Sequence, residues 1–201
     1  MSRRNVPYWP SFHGPEKQDP QSLDPQSQTL DQALRYIAHY SEATRDRVRE
    51  MVEAEKLGTF LLKRYPTPHE INSNKLLRAY TNQIKSTYLR SSERLSKVCF
   101  DDKLHLIQHA LGTQSFISLA HGGRLKKRRE LRVSSLFKRC PEPMLKMIVV
   151  HELAHLKERE HNEAFYRLCV HMEEDYHQLE FEARLYLIQK EMFGPLYLGS
   201  S

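Results

Sequence analysis

The chain has 201 residues, 39% hydrophobic and 28% charged, with a formal net charge of +6 and a mean hydropathy of −0.67. This is the composition of one globular domain, or one domain with a helical extension, and it contains no run of eighteen apolar residues that could span a membrane. Three dispersed cysteines (Cys99, Cys140, Cys169) with no CxxC pair argue against a disulfide framework or a thiolate zinc site, and point to reduced thiols in a cytoplasmic protein.

Five of the ten prolines fall at positions 7, 10, 15, 20 and 25, with Gln, Ser and Asp between them. Residues 1–27 therefore read as a disordered or loosely docked tail, in which Trp9, Tyr8 and Phe12 could pin an aromatic onto the domain surface. Arg3 and Arg4 are followed by no apolar stretch, so a secretory signal is not expected. Residues 28–64 carry Leu30, Leu34, Ile37, Val48, Met51, Val52 and Leu57 at helical spacing, with Gly58 as an expected interruption. Tyr65-Pro-Thr-Pro68 stops this helical stretch, and a further helix is expected over about 68–89. Residues 28–94 thus form a helical N-terminal part.

The pattern changes after residue 95. Lys97–Phe100, Ser115–Leu119 and Glu130–Phe137 read as short strands, Gly122-Gly123 as a turn, and 104–111 fits either a helix or a strand. Cys140-Pro-Glu-Pro143 breaks the chain and opens a helix, because proline is tolerated in a first turn. The expected fold is α+β, with a small antiparallel or mixed sheet and an active-site helix in a domain spanning 95–201.

That helix carries His151-Glu152-Leu-Ala-His155. Residues four apart share one helix face, so two imidazoles can converge on one Zn²⁺ at about 2.0–2.1 Å. Glu152 is placed to take a proton from water polarised by the metal, which makes it the candidate general base. The preceding apolar run (Leu145, Ile148, Val149, Val150) is expected to bury one helix face while the histidines line a cleft. A zinc hydrolase needs a third protein ligand and an open position. His161 is the favoured candidate, giving the HExxHxxxxxH spacing of metzincins with Glu158 in the place of their glycine. On one straight helix His161 would lie about 15 Å along the axis from His151, so the helix must end near 157–160 despite the helix-forming Lys157-Glu-Arg-Glu160. Asn162 is a good N-cap for a fresh helix carrying Phe165, Leu168, Cys169 and Met172. The rival third ligands are Glu173, Glu174 and Asp175. His105 and His109 also stand four apart but lack an adjacent glutamate; His171 and His177 read as surface residues. Tyr166, Tyr176 and His171 are candidates for oxyanion stabilisation.

The segment Pro143–Tyr166 resembles the YgjP-like metal-dependent hydrolases, relatives of the SprT-like proteins. The likeness rests on Val149-Val-His151-Glu152, on His155 and His161, and on the Phe165-Tyr166 pair. It implies a zincin-like metallopeptidase core, and it leaves a peptide or protein substrate beside a second substrate class, since nucleotide pyrophosphatase activity is also associated with the family. From Arg124 to Arg139 there are eight Lys/Arg and one acid, Glu130. Such a run is either a solvated hairpin or a contact for nucleic acid or a phosphate-bearing substrate. The expected function is a zinc-dependent metallopeptidase. The alternatives are a metal-dependent nucleoside triphosphate pyrophosphatase and a nucleic-acid-binding protein with a structural metal.

Overall fold

The computed structural model describes residues 25–102, 112–121 and 124–197, with side chains for 29–102 and 129–197. The expected tail up to residue 24, the segment 104–111 with His105 and His109, and the Gly122-Gly123 turn lie outside the described residues. Among the described residues the fold is α+β, and the chain divides into two compact units. One runs to Thr67 and resumes at Phe181; the other spans Pro68–Glu180.

The first unit is helical. It holds α1 (Pro25–Leu34), α2 (Glu42–Glu53), α3 (Leu57–Arg64) and the part of α7 (Tyr176–Phe193) from Phe181 onward. Helix α1 starts inside the stretch expected to be tail. Ser41 caps α2, its hydroxyl accepting from Thr44 N at 3.3 Å. The break between α2 and α3 falls at 54–56, where Glu55 takes a left-handed φ of 53°, and not at Gly58. Gly58 lies within α3, and a Cβ there would stand 3.2–3.3 Å from the Gln189 amide, so its lack of a side chain serves close packing. Glu182 is fully buried and is neutralised by Arg64 at 2.8 Å, with the Tyr65 hydroxyl donating to the same carboxylate.

The second unit holds α4 (Asn74–Tyr88), a sheet of β1 (Leu95–Asp101), β2 (Gly112–His121) and β3 (Arg124–Ser134), then α5 (Glu142–Ala154) and α6 (Glu163–Met172). The strand order is β1-β3-β2, with β1 parallel and β2 antiparallel to β3. Strand β3 pairs with β1 only from Arg129 onward, while its pairing with β2 continues to Arg124. Strand β3 stops at Ser134, short of the expected Phe137, because the Ser134 hydroxyl accepts from Leu136 N and the chain tightens into a 3-10 turn at Ser135–Phe137. Helix α4 likewise starts at Asn74, capped by Ser73, and not at 68. The intervening backbone is held by tertiary bonds instead. His69 N donates to Cys140 O at 3.0 Å, His69 Nε2 to Phe137 O at 2.8 Å, and Ile71 N to His69 Nδ1 at 3.0 Å.

Helix α5 packs against β2 and β3, and α4 packs against β1. Met144, Leu145, Met147, Ile148, Val149, Val150, Leu153 and Ala154 are all completely buried. The helix is therefore enclosed on nearly every side, where the sequence suggested one buried face. Each large side chain so enclosed contributes about 1.5–3 kcal/mol. That burial fixes the azimuth of α5, and with it the directions of His151 and His155.

Candidate metal centre

Helix α5 ends at Ala154, with His155 as its still right-handed C-cap. Leu156 N bonds to Leu153 O, and Lys157 N and Glu158 N both bond to Ala154 O, so the backbone closes into a turn. The expected stop before His161 is present, three residues earlier than expected. Local propensity loses because the turn is used: the Glu158 carbonyl accepts from His155 Nδ1 at 3.0 Å. Asn162 then starts α6, its side-chain oxygen accepting from Phe165 N at 2.9 Å. His161 is the residue just before this cap.

The two turns bring the three imidazoles together. His161 Nε2 lies 3.2 Å from His151 Nε2 and 3.1 Å from His155 Nε2. Tetrahedral ligands on zinc, at 2.0–2.1 Å each, stand about 3.3 Å apart, so this spacing suits one ion. One nitrogen from each histidine lies within 4.8 Å of the others, and no fourth protein donor joins the group among the described residues. Glu173, an expected rival, pairs with Lys146 at 2.7 Å. Neither it nor Glu174 or Asp175 belongs to the group.

Two of the outward nitrogens are engaged as well. A carbonyl can only accept, so the contact with Glu158 O puts the proton of His155 on Nδ1 and the lone pair on the inward Nε2. His151 Nδ1 lies 2.6 Å from the Tyr176 hydroxyl. Such outer partners fix ring orientation and raise ligand basicity. Burial holds the His155 imidazole below its ordinary value, and nearby His161 adds to this, which favours the neutral form a metal requires. The Phe165 ring packs against all three imidazoles, with centroids 5.0, 4.6 and 4.7 Å from His151, His155 and His161. The donor set and its spacing fit a divalent metal.

Glu152 is 1% exposed, and burial alone pushes its carboxyl up to about 8. A cation held by the triad would draw it back toward the ionised form. Tyr176 is completely buried, and its hydroxyl also engages the Cys169 thiol, which burial pushes up to about 12. Tyr176, considered above for oxyanion stabilisation, therefore stands behind His151. Tyr166 packs 6.3 Å from His161 and 5.5 Å from His177 between ring centroids. His171 lies against Tyr88 at 5.6 Å. The sequence does not foresee where Arg129 sits. Its guanidinium donates to Leu156 O at 3.1 Å, just past the motif, and pairs with Glu93 at 2.6 Å. Only its place in a basic run marked it.

Residues 119–183 match the family described as YgjP-like, metallopeptidase domain. A UTP pyrophosphatase of Escherichia coli (strain K12) is 48% identical to the chain over 156 residues, covering 78% of this chain and 93% of that protein. The chain belongs to the YgjP-like family. Membership makes it a metal-dependent hydrolase. No solved structure matches the chain. No helix among the described residues of this YgjP-like protein is long and apolar enough to cross a membrane.

Proposed function

We propose that the chain is a zinc-dependent nucleoside triphosphate pyrophosphatase, with His151, His155 and His161 as ligands and Glu152 as general base. One observation carries the substrate class: a protein named for UTP hydrolysis is similar to this chain over 93% of its own length. Three imidazoles with no fourth protein donor among the described residues favour a catalytic ion over a structural one, because structural zinc sites are closed by four protein ligands. We read the mixed sheet with α5 and α6 as a zincin-like core.

When bound there, a zinc ion supplies Lewis acidity toward a phosphoryl oxygen and makes water acidic near neutral pH. The protein's own groups do the rest. The triad fixes the position of the reacting centre, and Tyr176 and the Glu158 carbonyl hold two of its rings in orientation. The Glu152 carboxylate takes a proton from the attacking water and returns it to the leaving phosphate oxygen. Water adds at the α-phosphorus, the α–β anhydride bond breaks, and a nucleoside monophosphate and pyrophosphate leave. Arg129 ties β3 to the end of the motif helix through Leu156 O, with its charge met by Glu93.

The peptidase expected from the sequence is the second reading, favoured by the family's description. The same base and ion would serve a carbonyl as well as a phosphoryl group. The two are separated by assaying one preparation for pyrophosphate release from UTP and for cleavage of unstructured peptides. The proposal expects metal-dependent pyrophosphate release and no peptide cleavage; the reverse pattern replaces it with the peptidase.

A further inference from the structure

A pocket of about 730 Å³ lies on the second unit, with no residue of the triad, α5 or α6 in its lining. Arg78 and Lys85 of α4, and Arg90 and Arg94 of the α4–β1 connection, line it, with the buried Leu95 on its wall. Its lining contains four cations and no acid. Three of the cations are anchored by neutral backbone carbonyls. Arg78 donates to Ser96 O at 3.3 Å, Lys85 to Ser92 O at 3.1 Å, and Arg90 to Ser86 O at 2.9 Å. Carbonyl anchoring orders a side chain without cancelling its charge. The nearby acid, Glu93, is engaged by Arg129.

We propose that this pocket, at the junction of α4 and β1, binds a short polyphosphate chain as a site separate from the metal centre. Four cations, three of them held in place, suit an anion that presents several phosphoryl groups within one small volume, since charge-assisted bonds to phosphate are among the strongest available and arginine binds phosphate in bidentate fashion. Asn82 and Ser86 add neutral polar groups to the lining. The volume falls in the range of small-ligand sites, about 300–1,000 Å³, which favours a free polyphosphate over a nucleic acid strand. The site stands independently of what the metal centre hydrolyses.

Calorimetric titration of the full chain, stripped of metal, with inorganic tripolyphosphate tests it. The parent should bind at low salt, and added salt should weaken binding. Arg90→Glu/Arg94→Glu should weaken binding by about tenfold or more, because two attractive charges become repulsive. That variant leaves the Arg78 and Lys85 anchors in place, and circular dichroism would verify its fold. His151→Ala/His155→Ala should bind tripolyphosphate as the parent does. No binding by the parent, or equal binding by the charge-reversed variant, overturns the proposal. Loss of binding in the histidine variant alone would place the anion at the triad and also overturn it. Binding of a labelled oligonucleotide without binding of tripolyphosphate would make the patch a nucleic-acid surface instead. Because metal is absent throughout, these outcomes are independent of whether the enzyme hydrolyses UTP.

Discussion

The hydroxyl of Tyr176 stands 2.6 Å from Nδ1 of His151. The two residues are twenty-five apart in sequence and come from α7 and α5. This contact turns the inner nitrogen of His151 toward the other two imidazoles. Tyr176→Phe keeps the buried ring and removes only the hydroxyl. It should lower metal affinity by about 10–100-fold, the usual effect of losing an outer partner, while leaving thermal stability of the metal-free protein close to the parent's. Chelator competition reads the first, and calorimetry of the metal-free protein the second. Unchanged affinity would assign Tyr176 to packing alone.

The third ligand should be decided by the same competition. His161→Ala should cost far more metal affinity than Glu173→Ala or Asp175→Ala, since only His161 brings a nitrogen to the other two. Glu173→Ala should instead show a small loss of stability from its broken pair with Lys146, about 1 kcal/mol or less. A dominant effect of Glu173 or Asp175 on metal retention would move the third ligand onto a carboxylate.

The Asn162 cap couples a local bond to the site. Asn162→Ala should cost about 0.5–2 kcal/mol of stability by leaving the first turn of α6 unsatisfied. Metal affinity should fall with it, because His161 loses the turn that aims it. Asn162→Asp keeps an accepting oxygen and should restore both, as denaturant melts and metal titration would show.

Much of this site was legible because it is local. The i, i+4 histidines, the need to end the helix before His161 and the capping role of Asn162 all follow from spacing within a dozen residues. What escaped the sequence is carried by contacts between distant residues. Nothing near His151 names Tyr176 as its partner, and nothing near Arg129 places it at Leu156. The start of α4 escapes the sequence for the same reason: residues 68–73 could continue a helix, but His69 bonds to Phe137 and Cys140 instead. At Gly58 the sequence marks its most flexible residue as the break. There the absent side chain answers to Gln189, and the left-handed turn falls on Glu55. The choice between peptide and nucleotide was not legible from the motif, because ligands and base define how a bond is cut and not which bond enters.

His69 supplies a pH test outside the proposed metal ligands. Its Nε2 donates to Phe137 O and its Nδ1 accepts from Ile71 N, so the folded protein holds it neutral, and burial holds its ring below the ordinary value of 6.5. With the folded value below the unfolded one, the unfolded chain binds more protons as pH falls beneath about 6.5. Stability from His69 is therefore complete above that pH and declines below it. Denaturant melts across this range should show a steeper acid loss for the parent than for His69→Gln. Parallel curves would remove His69 from the account.

The most direct measurement is pyrophosphate release from UTP by Glu152→Gln, beside metal analysis of the same sample. The amide keeps the shape of the carboxylate but cannot take a proton from water. The account predicts metal content equal to the parent's and a rate of pyrophosphate release lower by about 10²–10⁴-fold, the usual range for losing a general base. Undiminished release with metal retained would contradict it.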